Sequence, residues 1–131
     1  MTTERKAQTA VLLMAHGSRR AEANDDLVRL ADLIREQNRY GHVEVSYLEL
    51  AEPSIPAGAQ YCVQRGATRV LMMPYFLSAG SHVTADLKRI RSEVSEQFPE
   101  VEFKLCEPLG LHPLMVEIVL DRLGNAADGK G

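Results

Sequence analysis

The chain contains 131 residues, carries a formal net charge of −3 at pH 7 and is 45% hydrophobic, with few aromatic residues and no tryptophan. A chain of this length forms one domain around one core, and its net negative charge argues against a nucleic-acid partner. No apolar run approaches the roughly 20 residues that span a bilayer, and the polar start MTTERKAQT lacks the apolar segment of a signal peptide. We therefore expect a cytoplasmic protein without a membrane or nucleic-acid partner.

Predicted strands and helices alternate along the chain. Residues 10–15 form a short continuous apolar run that ends at His-Gly-Ser, which is typical of a strand buried in a parallel sheet. The next segment carries apolar residues at helical spacing and charges on its other face, so it is predicted to be an amphipathic helix. The same criteria predict helices over residues 21–37, 53–66, 83–97 and 112–123 and further strands over residues 43–50, 68–74 and 101–106.

This alternation predicts an α/β fold, in which a parallel sheet is covered by helices on both faces and joined by right-handed crossovers. We expect a single flavodoxin-like domain over residues 10–124 with a four-stranded sheet of order 2-1-3-4. The remaining residues, 1–9 and 125–131, are expected to be a flexible N-terminus and a flexible tail. Ligands of such sheets bind beyond the carboxyl ends of the strands.

Three polar residues follow the predicted strands at this edge. His16 ends the first strand, Glu49 lies at the end of the second, and His82 comes after the third and a short loop. Two imidazoles and a carboxylate are a common ligand set for a borderline divalent metal, and three protein ligands leave one coordination position open. Neutral imidazole also accepts protons near pH 7. The sequence thus predicts a crevice in which these residues bind a metal or transfer protons.

Small residues lead from two of these strands into the next helices. Gly17-Ser18 and Gly80-Ser81 precede predicted helix starts, where free backbone N–H groups suit a carboxylate or a phosphate. The nucleotide motifs GxGxxG and GxxxxGK[ST] are absent from the sequence, and HGSR is not the GxSxG motif of serine hydrolases. The predicted ligand is therefore an anion that is bound beside a metal.

The candidate site residues and the remaining histidines and cysteines can also be interpreted as purely structural residues. A histidine after a strand is often a helix cap or a hydrogen-bonded structural residue, and an acidic residue at a strand end is often merely solvated. His42 and His112 are predicted to be surface or capping residues, while Cys62 and Cys106 are predicted to be buried small apolar residues without a disulfide.

Four segments in order, LLMAHGSRRAEAN, YLELAEPSI, RVLMMPYFLSAGSHVTADL and CEPLGLHPLM, resemble the short sirohydrochlorin chelatases of the CbiX type, which are relatives of the class II chelatases. The resemblance extends over residues 10–123. It implies that His16, Glu49 and His82 are the metal-handling residues. The chain has YLEL where an aromatic Phe is commoner, and its tail lacks the histidine-rich stretch of some members.

The resemblance implies a chelatase that inserts a divalent metal into sirohydrochlorin for cobalamin or sirohaem synthesis. Cobalt is the first expectation, with iron or nickel as alternatives; the metal is a substrate, and no tightly bound cofactor is implied. A homodimer is expected, because one small domain offers a ledge to a wide macrocycle where two copies form a cleft. The candidates for contact with the substrate's carboxylates are Ser18, Arg19, Arg20, Ser78, Ala79, Gly80 and Ser81.

Several alternatives remain open from the sequence. A metallochaperone or tetrapyrrole carrier would use the same residues without turnover. A phosphoryl-transfer enzyme or isomerase of the same fold would use His16 as nucleophile or base and would need no Glu49. The apolar stretch around the third strand, Met72, Met73, Tyr75, Phe76 and Leu77, suits a dimer interface, the macrocycle face or a buried strand.

Overall fold

The structure is a computed structural model that describes residues 8–129. Strands and helices alternate through the described part, as the sequence predicts. In chain order the elements are β1 (Thr9–Ala15), α1 (Ala21–Glu36), β2 (His42–Tyr47), α2 (Ile55–Gln64), β3 (Arg69–Pro74), α3 (Ser81–Gln97), β4 (Glu102–Leu105) and α4 (Pro113–Ala127).

The four strands form one parallel sheet with the order β2-β1-β3-β4, which confirms the predicted topology. Strand β1 lies at the centre, and its Leu13 is paired with Val45 of β2 and Met73 of β3. Residues 9–14 of β1 are buried, because helices pack against this strand from both sides. A continuous apolar run is the pattern that such a position requires.

Two clusters of apolar side chains form the core, one on each face of the sheet. Helices α2 and α3 contribute to the larger cluster, which contains Leu12 and Met72 from the central strands and the fully buried Cys62 of α2. Helix α1 covers the other face with Leu27 and Ala31, over β1 and β2. Burial of Cys62 confirms its prediction as a small apolar residue, and burial raises the pKa of its thiol to about 12.

Side-chain caps fix the starts of α2 and α4. The hydroxyl of Ser54 accepts a hydrogen bond from the N–H of Ala57 (3.3 Å), and Nδ1 of His112 accepts one from the N–H of Leu114 (3.1 Å). Each cap is followed by a proline in the first turn, where the missing N–H has no consequence. His112 is therefore a capping residue, as predicted.

Two element boundaries near the predicted site differ from the prediction. Strand β2 ends at Tyr47 rather than at residue 50, since the N–H of Tyr47 donates to the carbonyl oxygen of Pro53 (2.9 Å) and Leu50 adopts a positive φ of 67°. Helix α3 begins at Ser81 rather than at residue 83, because Gly80 is already its N-cap. Glu49 accordingly lies in the loop after β2, and His82 belongs to the first turn of α3.

Helix α4 departs most from the prediction. It continues to Ala127 rather than ending at residue 123, so residues 125–127 are helical and not part of a flexible tail. Among its described residues, 113–127, none is buried, so α4 adds nothing to the core. The predicted helices on both sheet faces are confirmed by α1 on one face and by α2 and α3 on the other. Residues 1–7 and 130–131 of the expected flexible ends lie outside the described part, and Thr9 already belongs to β1.

None of the helices within residues 8–129 has the length and apolar character that crossing a bilayer requires.

Candidate functional site

The candidate site lies at the carboxyl edge of the sheet. His16 directly follows β1, Glu49 follows β2, and the segment 75–80 leads from β3 to His82 in α3. These strands are neighbours in the parallel sheet, so their carboxyl ends meet at one edge. The side chains of His16, Glu49 and His82 are all exposed there. The structure thus places His16 and Glu49 on loops and His82 in the first turn of α3, all beyond strands whose carboxyl ends share one open edge.

Backbone contacts join the loops of His16 and Glu49. The N–H of Glu49 donates to the carbonyl oxygen of His16 (3.0 Å), and the N–H of Leu48 donates to that of Ala15 (2.8 Å). Gly17 makes this approach possible: its φ is +92°, and a Cβ atom there would lie 1.8 Å from the carbonyl oxygen of Glu49. Only glycine accepts both conditions. The His-Gly pair therefore holds the backbones of His16 and Glu49 in direct contact, although the two residues belong to different loops.

Phe76 supports the imidazole of His16. The two rings are 4.5 Å apart between centroids and tilted by 44°, and Phe76 is only 7% exposed. Its segment is fixed to the central strand, because the N–H of Tyr75 donates to the carbonyl oxygen of Met14 (2.7 Å). The sequence alone assigns Phe76 to a stretch that suits a dimer interface, the macrocycle face or a buried strand. A large apolar residue placed just after a buried strand was the signal for a supporting role.

A hydrogen-bonded loop connects β1 to α1. The N–H of Ser18 donates to Oδ1 of Asn24 (3.0 Å), Nδ2 of Asn24 donates to the carbonyl oxygen of Ser18 (2.8 Å), and the Ser18 hydroxyl accepts from the N–H of Arg20 (3.0 Å). The Tyr47 hydroxyl donates to the carbonyl oxygen of Asn24 (3.0 Å). The N–H of Ser18 is therefore committed within the protein and is not free for a ligand, although it was a predicted contact.

Asn24 has a structural role that sequence reasoning missed. A side-chain amide can donate and accept at once, which lets that of Asn24 bind both the N–H and the carbonyl oxygen of Ser18. Tyr47, which holds Asn24 from β2, has a raised pKa, first because burial disfavours its ionised form and second because of the negative charge of Asp25. It therefore remains a hydrogen-bond donor to Asn24 at neutral pH.

The start of α3 presents free backbone donors beside His82. Its N-cap, Gly80, supplies no side-chain cap, and the N–H of Thr84 is the group that bonds back to the Gly80 carbonyl oxygen (2.9 Å). The first N–H groups of an α-helix have no partner within the helix and lie at its positive end. Ser78, Gly80 and Ser81 are exposed here, and Ala79 is half-buried.

The three predicted ligands do not form a closed cage. Within residues 8–129 there is no group of three or more His, Cys, Asp or Glu side chains that is arranged to hold a metal ion. His16 and Glu49 are tied through their backbones, whereas His82 comes from a separate loop and helix. A common metal position for His16, Glu49 and His82 stays a prediction. Exposed side chains in this arrangement suit transient binding of a metal that is also bound by a second molecule.

Comparison with known proteins matches nearly the whole chain. The model of the CbiX family matches residues 10–126. The sirohydrochlorin ferrochelatase of Arabidopsis thaliana chloroplasts is 36% identical over 86% of this chain and 50% of its own length. The sirohydrochlorin cobaltochelatase of Methanocaldococcus jannaschii is 30% identical over 86% of this chain and 96% of its own length.

Solved structures agree with these matches. A CbiX protein from Marinobacter aquaeolei VT8 superposes with a TM-score of 0.80 and 26% identity, over 92% of this chain and 98% of that one. The sirohydrochlorin chelatase SirB from Bacillus subtilis subspecies spizizenii, in complex with cobalt, gives a TM-score of 0.84 and 26% identity over 90% of this chain and 50% of that one. The chain spans about half the length of the ferrochelatases of Arabidopsis thaliana and Priestia megaterium that it matches.

Proposed function

The chain belongs to the CbiX family, and we propose that it inserts a divalent metal into sirohydrochlorin. The observation that carries this proposal is the position of His16, which stands against Phe76 at the end of the central strand and is joined by its backbone to Glu49. The relatives include a sirohydrochlorin ferrochelatase and a sirohydrochlorin cobaltochelatase. A His/Glu ligand set accepts cobalt, iron and nickel. Of these three candidate metals, cobalt is our first choice.

Metal insertion needs ligands for the metal and acceptors for protons. As a divalent metal enters the macrocycle, two pyrrole N–H protons leave, so that one dication replaces two protons. His16 and His82 present the metal through neutral imidazole nitrogens and accept these protons, and Glu49 completes the ligand set or passes protons to solvent. The metal is a substrate in this reaction, and no tightly bound cofactor takes part.

The carboxylates of sirohydrochlorin are expected to meet the first turn of α3. Its uncapped N–H groups and its positive end suit negative charge. Arg19 and Arg20, both exposed between β1 and α1, provide permanent positive charge near the same edge. Ser78, Ala79, Gly80 and Ser81 supply the loop, and Ser18, whose N–H is bound to Asn24, keeps its hydroxyl as a donor to a substrate carboxylate.

We further propose that two copies of the chain form the working enzyme. The carboxyl edge of one sheet is an open ledge, and a tetrapyrrole is a wide disc with two faces. A second copy facing the first would enclose the macrocycle.

The test is metal insertion by wild type, His82→Ala and His42→Ala. The absorbance change of sirohydrochlorin on metallation is followed with cobalt(II) or iron(II), and the spontaneous rate is subtracted. We expect His82→Ala to lose nearly all catalysed insertion, since it removes a ligand and a proton acceptor together. His42→Ala, a matched change at the opposite end of the sheet where β2 begins, should keep wild-type activity.

Equal rates for wild type and His82→Ala would overturn the proposed mechanism. Binding of sirohydrochlorin without any turnover by wild type would instead identify a carrier. Circular dichroism of each variant shows whether the fold is intact.

A further inference from the structure

Leu50, in the loop that follows β2, combines a strained backbone with an exposed side chain. Its φ is 67°, in the left-handed region, and the residue is 54% exposed. Residues other than glycine, asparagine and aspartate rarely adopt this conformation, because Cβ then approaches a carbonyl oxygen too closely. An apolar side chain in water gains nothing that would offset this strain. Neither the backbone nor the core therefore explains a leucine at this position.

The turn at residue 50 is imposed by contacts on both sides of it. Before it, the N–H of Glu49 donates to the carbonyl oxygen of His16 (3.0 Å); after it, the carbonyl oxygen of Pro53 accepts from the N–H of Tyr47 (2.9 Å). The chain thus leaves β2 and returns to its edge through residues 48–52, with residue 50 in the middle. Glycine or asparagine normally occupies the left-handed position of such a reversal. The fold requires the conformation and does not require the leucine.

The residues on either side of Leu50 show that the loop is packed. Leu48 packs against the larger core cluster, and Ala51 packs against the cluster on the other face of the sheet. Leu50 itself belongs to neither cluster within residues 8–129. Its exposure is therefore a fixed feature of a packed loop.

The position of Leu50 connects it to the proposed site. It directly follows Glu49, whose backbone is bound to that of His16. Two further loops at the same edge also carry exposed leucines: Leu77 after β3 is 65% exposed, and Leu111 after β4 is 100% exposed. The carboxyl edge of the sheet thus presents apolar side chains beside the residues proposed to handle the metal.

A tetrapyrrole requires two kinds of contact from a protein. Its carboxylates lie on the rim of the ring and suit the N–H groups of α3 and the arginines described above, whereas the ring itself is a flat apolar surface. Packing of an exposed leucine on this surface removes apolar area of both from water, which favours binding. Strained residues at binding sites are held by the surrounding structure in the same way as Leu50 is held by its loop.

We propose that Leu50 is a substrate-binding residue whose side chain packs on the face of the sirohydrochlorin ring beside Glu49. This inference rests on the function proposed above and adds a contact for the ring to the contacts assigned to its carboxylates. The left-handed backbone directs the leucine toward the substrate and lowers the stability of the free protein. Substrate affinity and fold stability should therefore change in opposite directions when this residue is replaced.

The test measures both quantities for wild type, Leu50→Asn, Leu50→Met and Leu33→Asn. Fluorescence titration gives the Kd for metal-free sirohydrochlorin, thermal unfolding followed by circular dichroism gives the Tm, and sedimentation velocity gives the oligomeric state. Asparagine adopts the left-handed conformation more readily than leucine, and it adds no charge that would repel the carboxylates. Leu33, which is 58% exposed on α1, is the matched control.

We expect Leu50→Asn to raise the Kd about tenfold, because the apolar contact is lost, and to raise the Tm by about 3 °C, because the strain is relieved. Leu50→Met keeps an apolar side chain of similar volume and should bind within about threefold of wild type. Leu33→Asn should leave the Kd unchanged and lower the Tm slightly, since asparagine is a poorer helix former than leucine. Weaker binding by a more stable variant would not arise from loss of structure.

Unchanged sirohydrochlorin binding by Leu50→Asn, or a fall in its Tm, would overturn the assignment of Leu50. A change of oligomeric state in this variant would place Leu50 in a contact between protein chains and would overturn it as well. Because binding is measured without metal, a wild type that binds sirohydrochlorin but inserts no metal would contradict the proposed chelatase and leave this contact intact. A wild type that does not bind sirohydrochlorin would overturn both.

Discussion

Gly17 determines how closely the histidine and glutamate loops approach each other. Its positive φ and the carbonyl oxygen of Glu49 leave no space for a side chain. The contact places the exposed side chains of His16 and Glu49 on adjoining loops without any side-chain hydrogen bond between them. The geometry of the site thus depends on a residue that has no functional group.

Gly17→Ala should therefore be strongly destabilising. The added Cβ forces either the loop or the backbone of Glu49 to move, and the left-handed φ adds strain, so we expect a loss of at least about 2 kcal/mol in the free energy of unfolding. Urea denaturation measures it. Gly80→Ala is the control without a clash, since a Cβ there meets nothing within 4 Å and φ is −67°; because Gly80 is the N-cap of α3, where glycine is preferred to alanine, the loss should stay within about 1 kcal/mol. Similar losses for both variants would contradict the steric argument.

Residues with functional groups were easier to predict than the residues that support them. The position of His16 and Glu49 could be predicted because strand ends in a parallel sheet share one edge; their part in handling a metal stays a prediction. Phe76 and Asn24 could not be assigned, since an apolar residue after a strand and an amide in a first helical turn have many possible partners. Their roles depend on which loop lies across from them, and that is a property of the folded chain.

Among the elements, α3 connects the sheet to the proposed substrate. Its start at Ser81 places His82 and the uncapped N–H groups in the same turn. The prediction missed this start by two residues, because Gly80 in an extended conformation and serine in the next position are compatible with either a loop or a helix. The strands and their order were predictable from apolar runs and turn residues, whereas packing of α4 was not, since its apolar pattern is the same whether it meets its own sheet or another surface.

A negative charge at the start of α3 should weaken substrate binding. We expect Ser81→Asp to raise the KM for sirohydrochlorin about tenfold and to change kcat little, because the added carboxylate competes for the N–H groups and repels the substrate's carboxylates. It should also stabilise the helix slightly, by about 0.5 kcal/mol, which separates the effect from misfolding. Steady-state kinetics measures it. Ser92→Asp, an equal change in the middle of the same helix, is the control, and an unchanged KM for Ser81→Asp would exclude this turn as the carboxylate site.

The proposed site lies at one edge of the sheet, whereas none of residues 113–127 of α4 is buried. All three proposed metal-handling residues of a copy follow strands that end at one sheet edge, two on loops and His82 in the first turn of α3, so a copy contains the residues proposed for one site. Helix α4 exposes apolar side chains in a single copy. In the homodimer proposed above, the second copy would enclose the substrate and would not supply missing ligands.

Mixed dimers test this division of roles. His16→Ala and His82→Ala are mixed at equal concentrations, with subunit exchange verified by mass spectrometry of a tagged copy. If His16, Glu49 and His82 of one copy act together, every site in every mixed dimer lacks one histidine, and the mixture should stay as inactive as each variant alone. If instead His16 of one copy works with His82 of the other, half of the dimers carry one intact site, and activity should return to about a quarter of the wild-type value, given random pairing in a symmetric dimer.

The control mixes wild type with the double variant His16→Ala/His82→Ala. Activity per wild-type chain should be unchanged in it, since each wild-type copy keeps its own site whichever partner covers it. Recovery to about a quarter in the first mixture would show that the site is shared between copies and would overturn the single-edge assignment.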